Sequence, residues 1–281
     1  MNYANSYFMP KSKPEKWLAF FCLVALLSNG CEAQQQHEKN SIQNTKPDII
    51  VEAPGDSTFQ SQKQTDFALS LVELVSVDSN YTYQEMKAWV KQVKSGIDTN
   101  SITADSLSKL FTHLLVRKII PYWYGTPWTF EGHTATPGQG TIACGYFIST
   151  TLRDLGINVN RYKLAQQYPI NEAKTLALQN EVFEFSESTT EANIQTIRDS
   201  LETGVYFLGF DQSHTGFLYK NENGIFLIHS NYINAQGVIA ESIHNSEAFS
   251  YYNRFYIAPL STNRQLLSSW LNDVSIAVIA D

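Results

Sequence analysis

Cysteine is scarce in this 281-residue chain, with three in all, at Cys22, Cys31 and Cys144. A disulfide-stapled scaffold is therefore excluded, and no Cys or His grouping has the spacing of a zinc site. Positive charge is also in deficit. Twenty Lys and Arg stand against 27 Asp and Glu, a net charge of −7, so the basic face that nucleic acid demands is missing. The apolar run at 17–27 is too short to span a bilayer as a helix. There is no internal repeat, and 43% hydrophobic against 17% charged residues excludes a disordered or fibrous chain. What the chain has in quantity is aromatic: 15 Tyr, 16 Phe and 5 Trp. Its length suffices for one large domain or two small ones with a sizeable core.

The first thirty residues read as an address. Lys11, Lys13 and Lys16 precede the apolar run, the charge pattern of a secretion signal. Ser28-Asn29-Gly30-Cys31 then resembles the lipobox of bacterial lipoproteins, which implies a lipidated Cys31. Ser28 and Asn29 depart from the usual lipobox residues, and ordinary cleavage after Ala33 is the alternative. Both readings export the protein, the first as a membrane-anchored lipoprotein facing the periplasm or cell surface. Cys144 is left as the one unmodified thiol. A polar stretch at 31–64 reads as a flexible tether, followed by a helical N-terminal extension over 65–120.

Periodicity organises the rest. Thr82-Tyr83-Gln84-Glu85 is a capping box, with Met86, Trp89, Val90 and Val93 at helical spacing before Gly96. A second helix is predicted over 104–118. An aromatic, turn-rich loop follows: Pro121-Tyr122-Trp123-Tyr124-Gly125-Thr126-Pro127-Trp128, continuing to Gly140. Then Cys144, Phe147, Ile148, Thr151, Leu152 and Leu155 mark one helical stripe that Gly156 ends. A helix near 191–202 precedes strands at 204–210, 214–220, 225–230, 237–241 and 254–258, with 221–224 as a hairpin loop. Helices first and an antiparallel sheet second is an α+β arrangement.

A thiolate, not a thiol, attacks a carbonyl, and a helix N-terminus favours the anion, so Cys144 expects a depressed pKa. Taken alone it reads rather as a small buried hydrophobe. His214 opens one strand of the hairpin and His229 closes the other. An even-numbered turn puts both rings on one sheet face, as a base and its orienter require. Either histidine alone reads as an ordinary strand residue; His113 and His133 read as surface or core residues, and His244 has no visible partner in the sequence.

Gly125-Thr126-Pro127-Trp128, Ile142-Ala143-Cys144-Gly145-Tyr146-Phe147, Ser213-His214-Thr215-Gly216-Phe217 and Phe226-Leu227-Ile228-His229 together resemble the NlpC-type cysteine peptidases of bacterial cell walls. The likeness covers 121–258 and implies a papain-like hydrolase domain over 121–281. It implies Cys144 as nucleophile, His214 as base and His229 as orienter. It further implies Tyr122 as the oxyanion donor, with Tyr124 as runner-up, and Tyr124, Trp123 and Trp128 lining a substrate groove. The expected activity is cleavage of amide bonds in peptidoglycan stem peptides, at the γ-D-glutamyl–diaminopimelate linkage, with no metal or organic cofactor. Expected partners are wall peptides and the membrane through the lipid anchor. Ala143 and Gly145 replace the family's usual Asp and Ser. A transglutaminase-like acyl transferase is similar around Leu152-Arg153-Asp154-Leu155-Gly156, but would want Asp where His229 stands. A non-catalytic wall-binding lipoprotein is the other alternative.

Overall fold

Residues 74–211 and 213–280 are described by a computed structural model, and all lie within one unit, Pro54–Asp281. The expected leader 1–30, lipid anchor at Cys31 and tether 31–64, together with residues 65–73, lie outside the described residues. Helix α1 (Tyr83–Ser95) starts at the predicted capping box. The Thr82 hydroxyl accepts from the Glu85 amide, and the Glu85 carboxylate accepts from the Thr82 amide at 2.8 Å. Helix α2 (Ala104–His113) is shorter than its apolar stripe predicts. The chain widens into a π-helix at Leu114–Ile119 and tightens into a 3-10 turn at Ile120–Trp123. Pro121 explains the stop, since it has no amide to donate to a preceding turn.

Six strands form one antiparallel sheet in the order β1-β6-β2-β3-β4-β5, so the α+β class is as expected. They are β1 (Phe183–Phe185), β2 (Gly204–Phe210), β3 (His214–Asn221), β4 (Gly224–Asn231), β5 (Gly237–Ser242) and β6 (Phe255–Pro259). The β3–β4 turn is tighter than the predicted four-residue loop. Asn221 already pairs with Gly224, and the Asn221 side-chain oxygen accepts from the amides of Asn223 and Gly224 at 2.9 and 3.1 Å. Two residues remain in the turn, an even number.

Alternation along the strands builds two cores. Val205, Phe207, Phe217, Phe226 and Ile228 face α1, α2, α3 (Cys144–Asp154), α5 (Pro169–Ala177) and α8 (Arg264–Leu271). Leu208, Phe210, Leu218, Leu227 and Ile257 face α6 (Thr190–Ser200) and α7 (Glu247–Ser250). On that second side Phe249 stacks flat on Phe255 at 4.2 Å. A short helix α4 (Arg161–Ala165) follows α3.

The helices read as an N-terminal extension belong to the first core rather than beside it. Trp123 Nε1 donates to the Tyr83 hydroxyl at 2.9 Å, and that hydroxyl donates to Asp154 of α3 at 2.8 Å. Phe111 meets Trp270 of α8 edge-on at 5.2 Å, while Lys94 pairs with Asp273. The aromatic loop lies along the outer edge of β5: the Gly125 amide donates to Val238 at 2.9 Å, and the Val238 amide to Thr126 at 3.0 Å. Gly237, at φ 78°, makes this approach possible, because a Cβ there would collide with the Thr126 carbonyl.

Candidate active site

Cys144 is the first residue of α3, as the sequence predicts. The chain reaching it is pinned by backbone bonds from Ile142 to Pro127 and from Ala143 to Gly132, at 2.9 and 2.8 Å. Ser230 of β4 donates to the Ile142 carbonyl at 2.7 Å, so the helix start is held against the sheet. Phe147 then packs edge-on against Phe217 of β3 at 5.8 Å. Ala143 offers no side chain to cap the first-turn amides of α3.

The two histidines share one sheet face and touch. His214 Nε2 lies 2.7 Å from His229 Nδ1, with the rings at 74°. Gly216 leaves the space, since a Cβ there would stand 3.0 Å from that of His229. The contact continues: His229 Nε2 is 3.1 Å from Glu241 Oε1, which also accepts from the Ser246 hydroxyl at 2.5 Å. Burial depresses both imidazole pKa values. The neighbouring His229 depresses His214 further, while Glu241 partly offsets the effect on His229. Both rings therefore rest neutral at physiological pH.

The thiol approaches from a different side. Thr215 points towards α3 and His214 away from it, because neighbours on a strand alternate. The Thr215 amide and hydroxyl lie against the sulfur. That hydroxyl, close also to Glu172, completes a full hydrogen bond to neither. No hydrogen bond joins the Cys144 sulfur to either imidazole; Cys144 stands on the α3 face of the sheet, and the two histidines lie on the face of Leu218 and Leu227. The Tyr232 ring is 5.1 Å from that of His214. Burial, then Tyr252, and finally the Cys144 charge raise the pKa of its phenol. Among the described residues His214 Nδ1 makes no hydrogen bond.

The thiol pKa is not depressed. Burial, followed by the negative charge that Glu172 would carry once ionised, pushes Cys144 up to about 11, against smaller lowering contributions from Thr215 and Gly145. Glu172 is buried on α5 with Oε1 unpartnered, and burial holds its carboxyl protonated well above the usual range. The site at rest is a neutral thiol, two neutral imidazoles and a neutral acid.

Two of the expected aromatic roles are corrected. Tyr122 donates its phenol to the carbonyls of Tyr81 and Asp78 at 2.7 and 3.1 Å, so its one proton is committed away from Cys144. Trp123 is fully buried between Tyr83 and Phe147 and lines no groove. The Tyr124 hydroxyl is buried without a partner, its pKa raised by burial. Trp128 remains at the site: its ring lies 6.1 Å from Tyr232, with Nε1 an unpaired donor. Thr215, Glu172, Tyr232, Glu241 and Ser246 were missed. Parity with His229 could have found Glu241, two strands being paired; nothing local marked Glu172.

Among the described residues no group of three or more His, Cys, Asp and Glu side chains could hold a metal ion. No family model matches this chain, and no curated protein matches it.

Proposed function

We propose that this chain is an exported thiol hydrolase of the NlpC type, with a papain-like hydrolase fold, that cuts amide bonds in peptidoglycan stem peptides. The observation that carries the reading is the 2.7 Å contact between His214 Nε2 and His229 Nδ1. It leaves His214 Nδ1 with no hydrogen-bond partner among the described residues.

The chemistry follows from the resting charges. With the thiol pKa near 11, the proton does not leave in advance. His214 Nδ1 removes it as the sulfur attacks the substrate carbonyl, and the resulting imidazolium is supported through His229. The oxyanion forms over the first-turn amides of α3, with Trp128 Nε1 as a further free donor. His214 then protonates the leaving amine, and water cleaves the thioester by the same base. The γ-D-glutamyl–diaminopimelate bond is the proposed target. Ala143 supplies no carboxylate for a substrate amine, so stems still attached to sugar are accepted.

Incubating the exported protein with purified sacculi and resolving the products by mass spectrometry tests the reading. New amino groups on diaminopimelate support it. Release of whole stems from the sugar makes the protein an amidase, and no cleavage of any wall preparation turns it into a binding lipoprotein.

A further inference from the structure

We propose that Glu241 is a positioning residue that sets the tautomers of both histidines, and so makes Nδ1 rather than Nε2 of His214 the basic nitrogen. The inference rests on the hydrolase reading only for its consequence in turnover; the tautomers stand on geometry.

The argument is one of donors and acceptors. A carboxylate only accepts, and a neutral imidazole has one N–H and one lone pair. Glu241 Oε1 is 3.1 Å from His229 Nε2, so that nitrogen carries the hydrogen. His229 Nδ1 is then the lone pair, and His214 Nε2, 2.7 Å away, donates to it. His214 Nδ1 is thereby stripped of its hydrogen, and among the described residues it has no other partner. Each step leaves the next no choice. With Glu241 removed, the reverse order, Nδ1–H on both rings, satisfies the inter-ring contact equally well and spends the base.

Glu241 is itself held. It stands on β5, opposite Leu227 of β4, with its side chain on the face that carries both rings. Ser246 donates to Oε1 at 2.5 Å. The same hydroxyl accepts from the Phe249 amide at 3.0 Å, as the N-cap of α7. The carboxylate is thus tied to a helix start, and α7 is tied in turn to the face below it by the Phe249–Phe255 stack. When His214 takes the thiol proton, the charge on the dyad lies one ring from this carboxylate, an arrangement that favours imidazolium in the transition state.

The test is the hydrogen position itself. In 15N-labelled protein near neutral pH, long-range 1H–15N correlation should find both rings protonated at Nε2 and bare at Nδ1. A hydrogen on Nδ1 of either ring overturns the proposal. Glu241→Gln should convert part of each ring to the Nδ1–H form and lower kcat about ten- to a hundredfold at little change in KM. Unchanged tautomers in that variant also overturn it. The Glu241 side chain is 21% exposed, so the isosteric amide is tolerable; Glu241→Met is the second variant. Should both unfold, the wild-type tautomers decide. Correct tautomers in a protein that cuts no wall peptide would end the hydrolase reading and leave the relay.

Discussion

A Cβ on Gly145 would stand 2.7 Å from the Ala165 carbonyl oxygen and 3.2 Å from Glu172 Oε1. The helix that carries Cys144 and the end of α4 therefore meet backbone to backbone. Gly145→Ser should cost about 1–3 kcal/mol by overpacking, read by urea denaturation, and should displace the thiol. A variant as stable as wild type would show that α4 yields freely.

The proposed mechanism makes removal of Cys144 or of His214 end turnover. Cys144→Ser and His214→Ala are expected to fold cooperatively and to release no diaminopimelate amine. His229→Ala should retain more activity, since orientation partly survives loss of the orienter. Wild-type turnover in Cys144→Ser would end the thiol mechanism.

Alkylation reports the thiol directly. Iodoacetamide labelling of Cys144 should be slow at pH 7 and rise with pH towards a midpoint of about 11. Glu172→Gln should bring that midpoint down, because it removes the second-largest cause of the shift. Labelling already complete at pH 6–7 would mean a thiolate at rest.

The same glutamate makes stability pH-dependent. Its carboxyl stays protonated in the folded chain well above the ordinary value of 4.5, so the folded state holds a proton that the unfolded state has lost. Stability contributed by Glu172 is therefore greatest below pH 4.5 and declines as pH rises towards the folded value. Glu172→Gln should match wild type in Tm near pH 4 and exceed it at pH 7. An equal gap at both values would show that the carboxyl is not buried as a neutral acid.

Tyr83 joins the early helices to α3 through two hydrogen bonds. Tyr83→Phe should leave Trp123 Nε1 and Asp154 short of a partner at a cost of about 1–3 kcal/mol. A chain begun at Pro121 should not fold cooperatively, as judged by near-UV circular dichroism.

Much of this was legible in local pattern. The capping box at Thr82, the start of α3 at Cys144 and five of six strands follow from spacing alone, because each is written in consecutive residues. His214 and His229 were placed on one face by parity, which depends only on an even turn. What was not legible is what arrives from elsewhere in the chain. Glu172 reaches the thiol from a helix with no motif, and Tyr232 enters from a short turn after β4. The Tyr122 phenol was misassigned because its acceptors, Asp78 and Tyr81, are backbone carbonyls, and no side-chain pattern announces those. The thiol pKa ran opposite to expectation for a similar reason: helix position is visible in a sequence, and burial beside a second acid is not.

The loop from Gly125 to Thr126, laid along β5, has a colloidal consequence. A bare outer strand offers its amides and carbonyls to any passing chain, and aggregation begins there. On β5, Val238 exchanges its N–H and C=O with that loop, and at the opposite margin β1 is only three residues long. With one margin occupied and the other curtailed, these strands give a second copy little to extend.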